Sequence, residues 1–523
     1  MNKRYLIRVC RFLALAKVLF MVTGVWAAGP WYVATNGVDS NAGTSWDAAF
    51  LTISNALANA SLNDTIWVSN GVYVISAMVS NPATKTCQIR AASTNPANTV
   101  LLGPGSNATT HATGGFRGVW MDGAGSLLEG FTVTNFYTTN ENLGAGAVCW
   151  RGGVISNCII TGNIMNYPGA GWGAGVYLYD LSARVENCDF IGNRVMSSGE
   201  GGGGGGVTTI YGSIIKNCRI VGNTSAARAG GVWMFGRDTL RDSIVASNTS
   251  SGKAGGIYFR GTNISNCHVF DNISGDYAGG LTFVADAPLS STNLTIEGCV
   301  FSNNYGVEGG ISDINNLDGN VLISRCTIIN NRSGSGRGAG LRVVMKPGSA
   351  YSILNIRNCL VANNIAEGTT AGRAGAGMSV EVTNALIENC TVASNTTYAT
   401  AYGAGLYITN AVRIVNSIIY HNSGGVAGTS NVYASADCTF SNCCAAPLPA
   451  AGSANTDADP QFVAKDIGNF RLSAFSPCVN AGANQSWMTN VVDLDGRIRI
   501  RYGTVDIGAY ETIYEGTIYR FGF

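Results

Sequence analysis

Charge is scarce in this sequence: Lys, Arg, Asp and Glu make up only 12% of it, 32 basic against 31 acidic side chains. A chain kept open by its own charge carries far more than this, and a nucleic-acid binder needs clustered Lys and Arg in excess. Long apolar runs are also missing, since the N-terminal stretch Val18 to Trp26 is too short to span a bilayer comfortably. The three histidines, His111, His268 and His421, are scattered, and no Cys-x-x-Cys pair accompanies them. That leaves a zinc-type site or a nucleophile–base pair without support. The glycine run Gly201 to Gly206 has no following Lys-Ser/Thr, so it reads as a bend rather than a phosphate loop. Asp493-x-Asp495-Gly496 lacks the remaining ligands of a calcium loop and reads as a tight turn. Neither a metal nor a cofactor is expected.

What the sequence has in abundance is glycine, 69 residues, within a composition that is 46% hydrophobic. It also repeats. Aligned on cysteine, Cys158, Cys188, Cys218, Cys267, Cys299, Cys326, Cys359 and Cys390 form one column, with Ser243 and Ser417 filling gaps and Gly130 opening it. Five residues after each stands an asparagine, from Asn135 through Asn193, Asn248, Asn304 and Asn364 to Asn422. The period is about 29 residues, which signals a solenoid. A second signal is Gly-Gly or Gly-Ala-Gly before an apolar strand, as in Gly230-Gly231-Val232-Trp233-Met234. Coils this short leave no room for helices of ten or more residues, so each coil is built of strands.

The spacing predicts a parallel stack in which the column cysteines are small buried hydrophobes about 4.8 Å apart, too parallel for disulfides. The asparagines are expected at bends, tolerating the left-handed conformation and hydrogen-bonding from coil to coil. Cys438, Cys443, Cys444 and Cys478 fall outside the column and are the better disulfide candidates, with their pairing left open.

The N-terminus, with Lys3, Arg4, Arg8, Arg11 and Lys17 before its apolar run and Val25-Trp26-Ala27 at its end, reads as a secretion signal over 1–27. Its loss takes 5 of the 32 cations and leaves 27 basic against 31 acidic groups, a formal charge of −4. Residues 28–126 read as an N-terminal cap and first irregular coils, with apolar spacing at Phe50, Ile53, Ala56, Leu57 and Ala60 predicting a short helix that covers the open end of the core. Regular repeats fill 127–430, a C-terminal cap 431–511 and a tail 512–523, where Tyr519-Arg520-Phe521-Gly522-Phe523 alternates aromatics.

The order of strand, turn, helix and Asp64-Thr65-Ile66-Trp67-Val68 resembles the start of pectin-lyase-like right-handed parallel β-helix proteins. The paired Gly-Gly-apolar and apolar-x-x-Asn signals, such as Phe190 to Asn193, are similar to the repeats of polymorphic outer-membrane proteins. Asp459-Pro460-Gln461-Phe462, Gly468-Asn469-Phe470, Ser476-Pro477-Cys478, Asp493-Leu494-Asp495-Gly496-Arg497 and Val505-Asp506-Ile507-Gly508-Ala509-Tyr510-Glu511 follow one another as in the choice-of-anchor Q domain. These resemblances imply an all-β solenoid on an exported, extracellular or cell-surface protein. Family-type catalysis is not implied: Gly123 stands after Val119-Trp120-Met121-Asp122 where pectate lyases carry histidine, and no Gly-His-Gly occurs.

Three residues before the strand-initiating glycine stand Trp172, Arg228, Lys253, Tyr277, Val307, Arg337, Ala374 and Tyr402, which stacking would bring into one surface file. Aromatic rings stack on sugars, and Arg or Lys pairs with carboxylates or sulfates. Trp172, Arg228, Lys253, Tyr277, Arg337 and Tyr402 are therefore the expected ligand-binding residues of a monomer that binds extracellular polysaccharide or another surface ligand, with no nucleic-acid partner. The bland alternative is solvated loop tips. A lyase or glycosidase would add carboxylates from Asp276, Glu308 or Asp313, and an adhesive protein would use the repeats for length alone.

Overall fold

A computed structural model describes residues 30–105, 115–199, 202–261, 263–284, 294–313, 319–334, 337–344, 353–368, 375–398, 401–449 and 451–513. The leader read over 1–27, His111, Ala374 and the aromatic end 519–523 lie outside these. The described chain is an all-β, right-handed parallel β-helix with very little helix. Four long sheets run its length. Sheet 1 has 16 strands, from Trp31–Val33 to Gly452–Ser453, and sheet 2 has 14, from Gly71–Val74 to Cys444–Ala445. Sheet 3 has 12 short strands, from Gly115–Phe116 to Ser423–Gly424, and sheet 4 has 13, from Val79–Asn81 to Val432–Ala434.

One coil shows the plan. Val176–Tyr179 lies in sheet 4, Arg184–Glu186 in sheet 1, Asp189–Ile191 in sheet 2 and Arg194–Val195 in sheet 3. Each strand pairs in parallel with its equivalent one coil on, Val176 opposite Val207 and Asp189 opposite Arg219. Alternation sends Leu178, Val185 and Phe190 inward, where all are fully buried. The strands before residue 127 join the same four sheets, paired in parallel except Gly115–Phe116, which runs antiparallel to Tyr137–Thr138, so most of the first coils are regular in pairing though not in sequence. Helix α1 spans Ile53–Asn59, starts on the Thr52 side chain, which accepts from Asn55 N, and buries Ile53, Ala56 and Leu57 in the N-terminal end of the core.

The cysteine column is interior, at 0–2% exposure. Each thiol donates to a carbonyl of its own coil and one of the coil before, as Cys188 does to Glu186 O (3.2 Å) and Ile155 O (3.6 Å). Ser243 does the same job, donating to Arg241 O at 2.7 Å and accepting from Cys218 N at 3.1 Å. The column starts one residue later than the spacing suggests. Thr132 pairs with Ile159, so Phe131 and Phe136 occupy the Cys and Asn positions of that coil, while Gly130 (φ 87°) and Asn135 (φ 65°) sit in the bends. It also ends later: Ile418 pairs with Cys444, which puts Cys443 opposite Ser417 and inside the column.

The asparagines form a continuous ladder. From Asn163 to Asn422 each Nδ2 donates to the Oδ1 of the next at 2.9–3.0 Å, and the same Oδ1 accepts the preceding asparagine's backbone N–H. Asn422 hands on to Asn431 at 3.0 Å. These residues do not take the left-handed conformation expected of them. The residue in front does, such as Gly192 (φ 62°), Ser247 (φ 53°) or Asp271 (φ 54°), and the other corner bends before the cysteine, at Asn187 (φ 56°) or Asp242 (φ 53°). A ladder asparagine must keep its side chain in the corner, so the turn falls to its neighbour.

Past the last coil the chain folds back along the outer face of sheet 2. Phe470, Ala509 and Tyr510 pack on Leu360, Ala362 and Ala393, and Ala509 N donates to Thr391 Oγ1 at 3.0 Å. The recurring Asp and Glu of this clasp serve its loops. Asp493 accepts from Asp495, Arg497 and Glu511 backbone N–H groups, Asp506 from Asn480 and Thr512, and the buried Arg499 lies 3.2 Å from Glu511. Asp493-x-Asp495-Gly496 is thus a turn, as its spacing suggests.

Candidate functional site

The loops from sheet 3 to sheet 4 are glycine-rich because neighbouring coils nearly touch there. A side chain on Gly230 would meet the Gly255 carbonyl oxygen at 2.5 Å. Trp172 bridges Leu143 and Gly203, and Ala229, Ala254 and Ala278 bridge in turn, which stacks Trp172, Arg228, Lys253 and Tyr277 in one file. Glu308 N donates to Tyr277 O, and Gly375 N to Tyr402 O, carrying the file on through Val307 and Arg337 to Tyr402. From the Trp172 coil to the Tyr402 coil are eight strand spacings of sheet 4, roughly 40 Å. Gly203 leaves a gap in the file between Trp172 and Arg228.

These residues are not loose tips, because they lie over the outer face of sheet 4. The Trp172 ring centroid is 6.0 Å from Tyr177 and 5.7 Å from Trp233. The Arg228 guanidinium sits 5.7 Å from the Trp233 ring and 5.5 Å from Tyr258, a cation–π pairing worth roughly 0.5–2 kcal/mol. Lys253 lies 4.7 Å from the Tyr277 centroid, with its Nζ 2.6 Å from Asp276. Beyond it Glu308 and Arg342 form a buried pair at 2.8 Å, with Arg337 in electrostatic reach of Glu308. Burial pushes the Glu308 carboxyl up, against the pull of Arg342. Tyr402 meets Tyr433 at 4.7 Å, and Tyr433 stacks on Tyr407 at 5.3 Å. The file has aromatic ends and a charged middle.

Asp276 and Glu308 belong to this surface, but Asp313 does not. It pairs with Phe283 in an inward column, is 1% exposed and accepts from Val344 N at 3.0 Å. His268 lies in sheet 2 and His421 in the bend after the sheet 2 strand Ile418–Tyr420, and among the described residues no group of three His, Cys, Asp or Glu is placed to hold a metal ion. No described helix is long and apolar enough to cross a membrane.

The file borders an aromatic ladder that the spacing of glycines alone does not reveal. Trp120 stacks on Trp150 at 5.6 Å, and Trp150 on Tyr179 at 4.0 Å and 11°. Tyr179, Tyr211 and Phe235 continue edge to face, and Arg260 covers Phe235 at 4.9 Å. Trp120, Trp150, Tyr179 and Phe235 pack with Trp172 and Tyr177 into one patch, and Arg151, next to Trp150, is held by both oxygens of Asp122 at 2.8 and 2.6 Å. The readable signal was the fourth residue of each glycine-led strand, Trp150, Tyr179 and Phe235, which alternation turns outward.

No curated protein matches the sequence. Solved structures that resemble the chain include pectate lyase Pel9A (16% identity, 93% of this chain and 97% of that one, TM-score 0.29). The catalytic domain of a GH87 alpha-1,3-glucanase matches at 12% identity over 72% of this chain and 64% of that one, TM-score 0.35. A mannuronic acid specific polysaccharide family 6 lyase from human gut microbiota matches at 15% over 69% and 84%, TM-score 0.28. The family model described as the right handed beta helix region matches residues 146–355, the coils that carry most of the file.

Proposed function

We propose that this is an exported or cell-surface protein that binds an extended polysaccharide along the outer face of sheet 4. One observation carries the reading: rings and cations recur from coil to coil on a single face, with Trp120, Trp150 and Tyr179 stacked into a half-buried ladder beside Trp172 and Arg228. Stacked rings offer flat apolar surface to sugar faces, and Arg228, Lys253 and Arg337 suit carboxylate or sulfate groups further along. Binding is favoured over hydrolysis or elimination because the carboxylates here are neutralised in place. Asp122 is bound to Arg151, Asp276 to Lys253 and Glu308 to Arg342.

The test is affinity electrophoresis of the protein through gels containing neutral, uronate and sulfated polysaccharides, with absorbance of unsaturated product and reducing ends followed in parallel. Retardation by at least one polymer without product is expected, reduced tenfold or more in Trp150→Ala and Tyr179→Ala. No retardation by any polymer, or retardation that both variants retain, overturns the proposal. Product release would make it an enzyme.

A further inference from the structure

We infer that Cys444 and Cys478 join in a disulfide that fastens the clasp to the last coil. Two positions in the fold carry this. Cys444 opens the final strand of sheet 2, and its pairing with Ile418 turns it to the outer face, away from the core column that holds Cys443. Cys478 comes from the clasp, and the two thiols share one buried cluster with Ile418, Leu472 and Ile507, where the Cys444 thiol donates to Ala458 O at 3.2 Å. The backbone on both sides is fixed. Cys444 N donates to Ser417 O at 2.9 Å, Cys478 N to Ser476 Oγ at 3.1 Å, and Ile507 N to Cys478 O at 2.9 Å.

The column cysteines differ. They stack in parallel along one side of the core, strand over strand, and parallel side-chain vectors do not suit the disulfide torsion. Cys444 and Cys478 come from separate segments, the last coil and the clasp, and meet in one buried cluster. Both are fully buried in the folded chain, so the bond forms during folding, before the clasp closes. Two S–H bonds break and one S–S bond forms; the two electrons and two protons pass to a disulfide of the thiol–disulfide exchange class, whose S–S bond breaks and which leaves as the dithiol. The inference draws on the export reading for its oxidising compartment, but its chemistry can be tested without it.

The full chain is unfolded in urea and refolded with a reduced and oxidised glutathione couple. Free thiols are then blocked with N-ethylmaleimide in denaturant, and the chain is digested without reductant for mass spectrometry. One linked peptide pair containing Cys444 and Cys478 is expected, lighter by two hydrogens than the sum of its parts. The link should persist in Cys443→Ser, which separates the adjacent thiols, and the unfolding midpoint should fall on reduction. If both thiols of the refolded wild type are alkylated, or the link runs through Cys443, the inference is wrong. Polysaccharide binding at sheet 4 is unaffected by either result.

Discussion

At the scale of single residues, the buried polar groups show which positions belong to the scaffold. Asp238 lies under the turn between sheets 4 and 1, where Oδ1 accepts from Gly212 N and Ser213 N at 2.8 Å and Oδ2 from Phe235 N at 2.9 Å. Burial pushes its carboxyl up to about 6 from an ordinary 3.8, despite those three donors. A carboxyl raised in the fold contributes stability that is complete below its unfolded value and lost as pH rises through its folded value. The stability of wild type minus that of Asp238→Asn should therefore fall by about 2–3 kcal/mol between pH 4 and pH 6.5, then level off. Urea unfolding at stepped pH measures it, and a constant difference would refute the assignment. Cys267 makes a second case. Its thiol donates to Ser265 O at 3.2 Å in a fully buried column where Ser243 already substitutes. Cys267→Ser should cost no more than about 1 kcal/mol and Cys267→Asp several, because the latter buries an unpaired charge. An Asp variant with an unchanged unfolding midpoint would place the column outside the core.

At the scale of elements, the asparagine ladder ties coil to coil more than any one packing contact does. Asn272 Nδ2 donates to Val245 O (2.9 Å), Phe270 O (3.0 Å) and Asn304 Oδ1 (3.0 Å), while its Oδ1 accepts from Asn248 N and Nδ2, both at 3.0 Å. Asn272→Ala strands a buried N–H and should cost about 3 kcal/mol or more, whereas Asn431→Ala, at the half-buried end where water can replace it, should cost about 1. Equal losses would show that the ladder is not cooperative. This ladder and the cysteine column were legible in the sequence because both bracket one strand of sheet 2, whose five-residue span never changes. The offset at Gly130 arose because Phe131 and Phe136 replace both marker residues in that coil. The aromatic ladder was harder to see for a different reason. In Ala147-Val148-Cys149-Trp150 every residue is apolar, since the outer face of sheet 4 carries its own packed aromatic patch, so inward and outward positions look alike.

At the scale of the whole molecule, the clasp makes a modular stack less modular. Each coil's strands pair only with the coils on either side, but Asn358 donates to Val492 O and Asn389 to Asp506 O, contacts that reach 134 and 117 residues along the chain. No local pattern announces such contacts, and the clasp was readable only as an ordered series of motifs, not as a lateral seal. Ending the chain at residue 458 uncovers Leu360, Ala362, Ala393 and Ile418. The truncated protein should bind a hydrophobic dye and lose its C-terminal coils first, seen as early amide exchange beyond residue 353, while coils near Cys188 stay protected. Uniform exchange along the rod would argue against a local role. The amide ladder, finally, gives the rod a sense. Every link from Asn163 to Asn431 donates in the same direction, so the side-chain dipoles add along the axis instead of cancelling. One inverted amide would set donor against donor on one side and acceptor against acceptor on the other, so an orientation fixed at any coil is imposed on all the rest, and the two ends of the rod are electrically distinct.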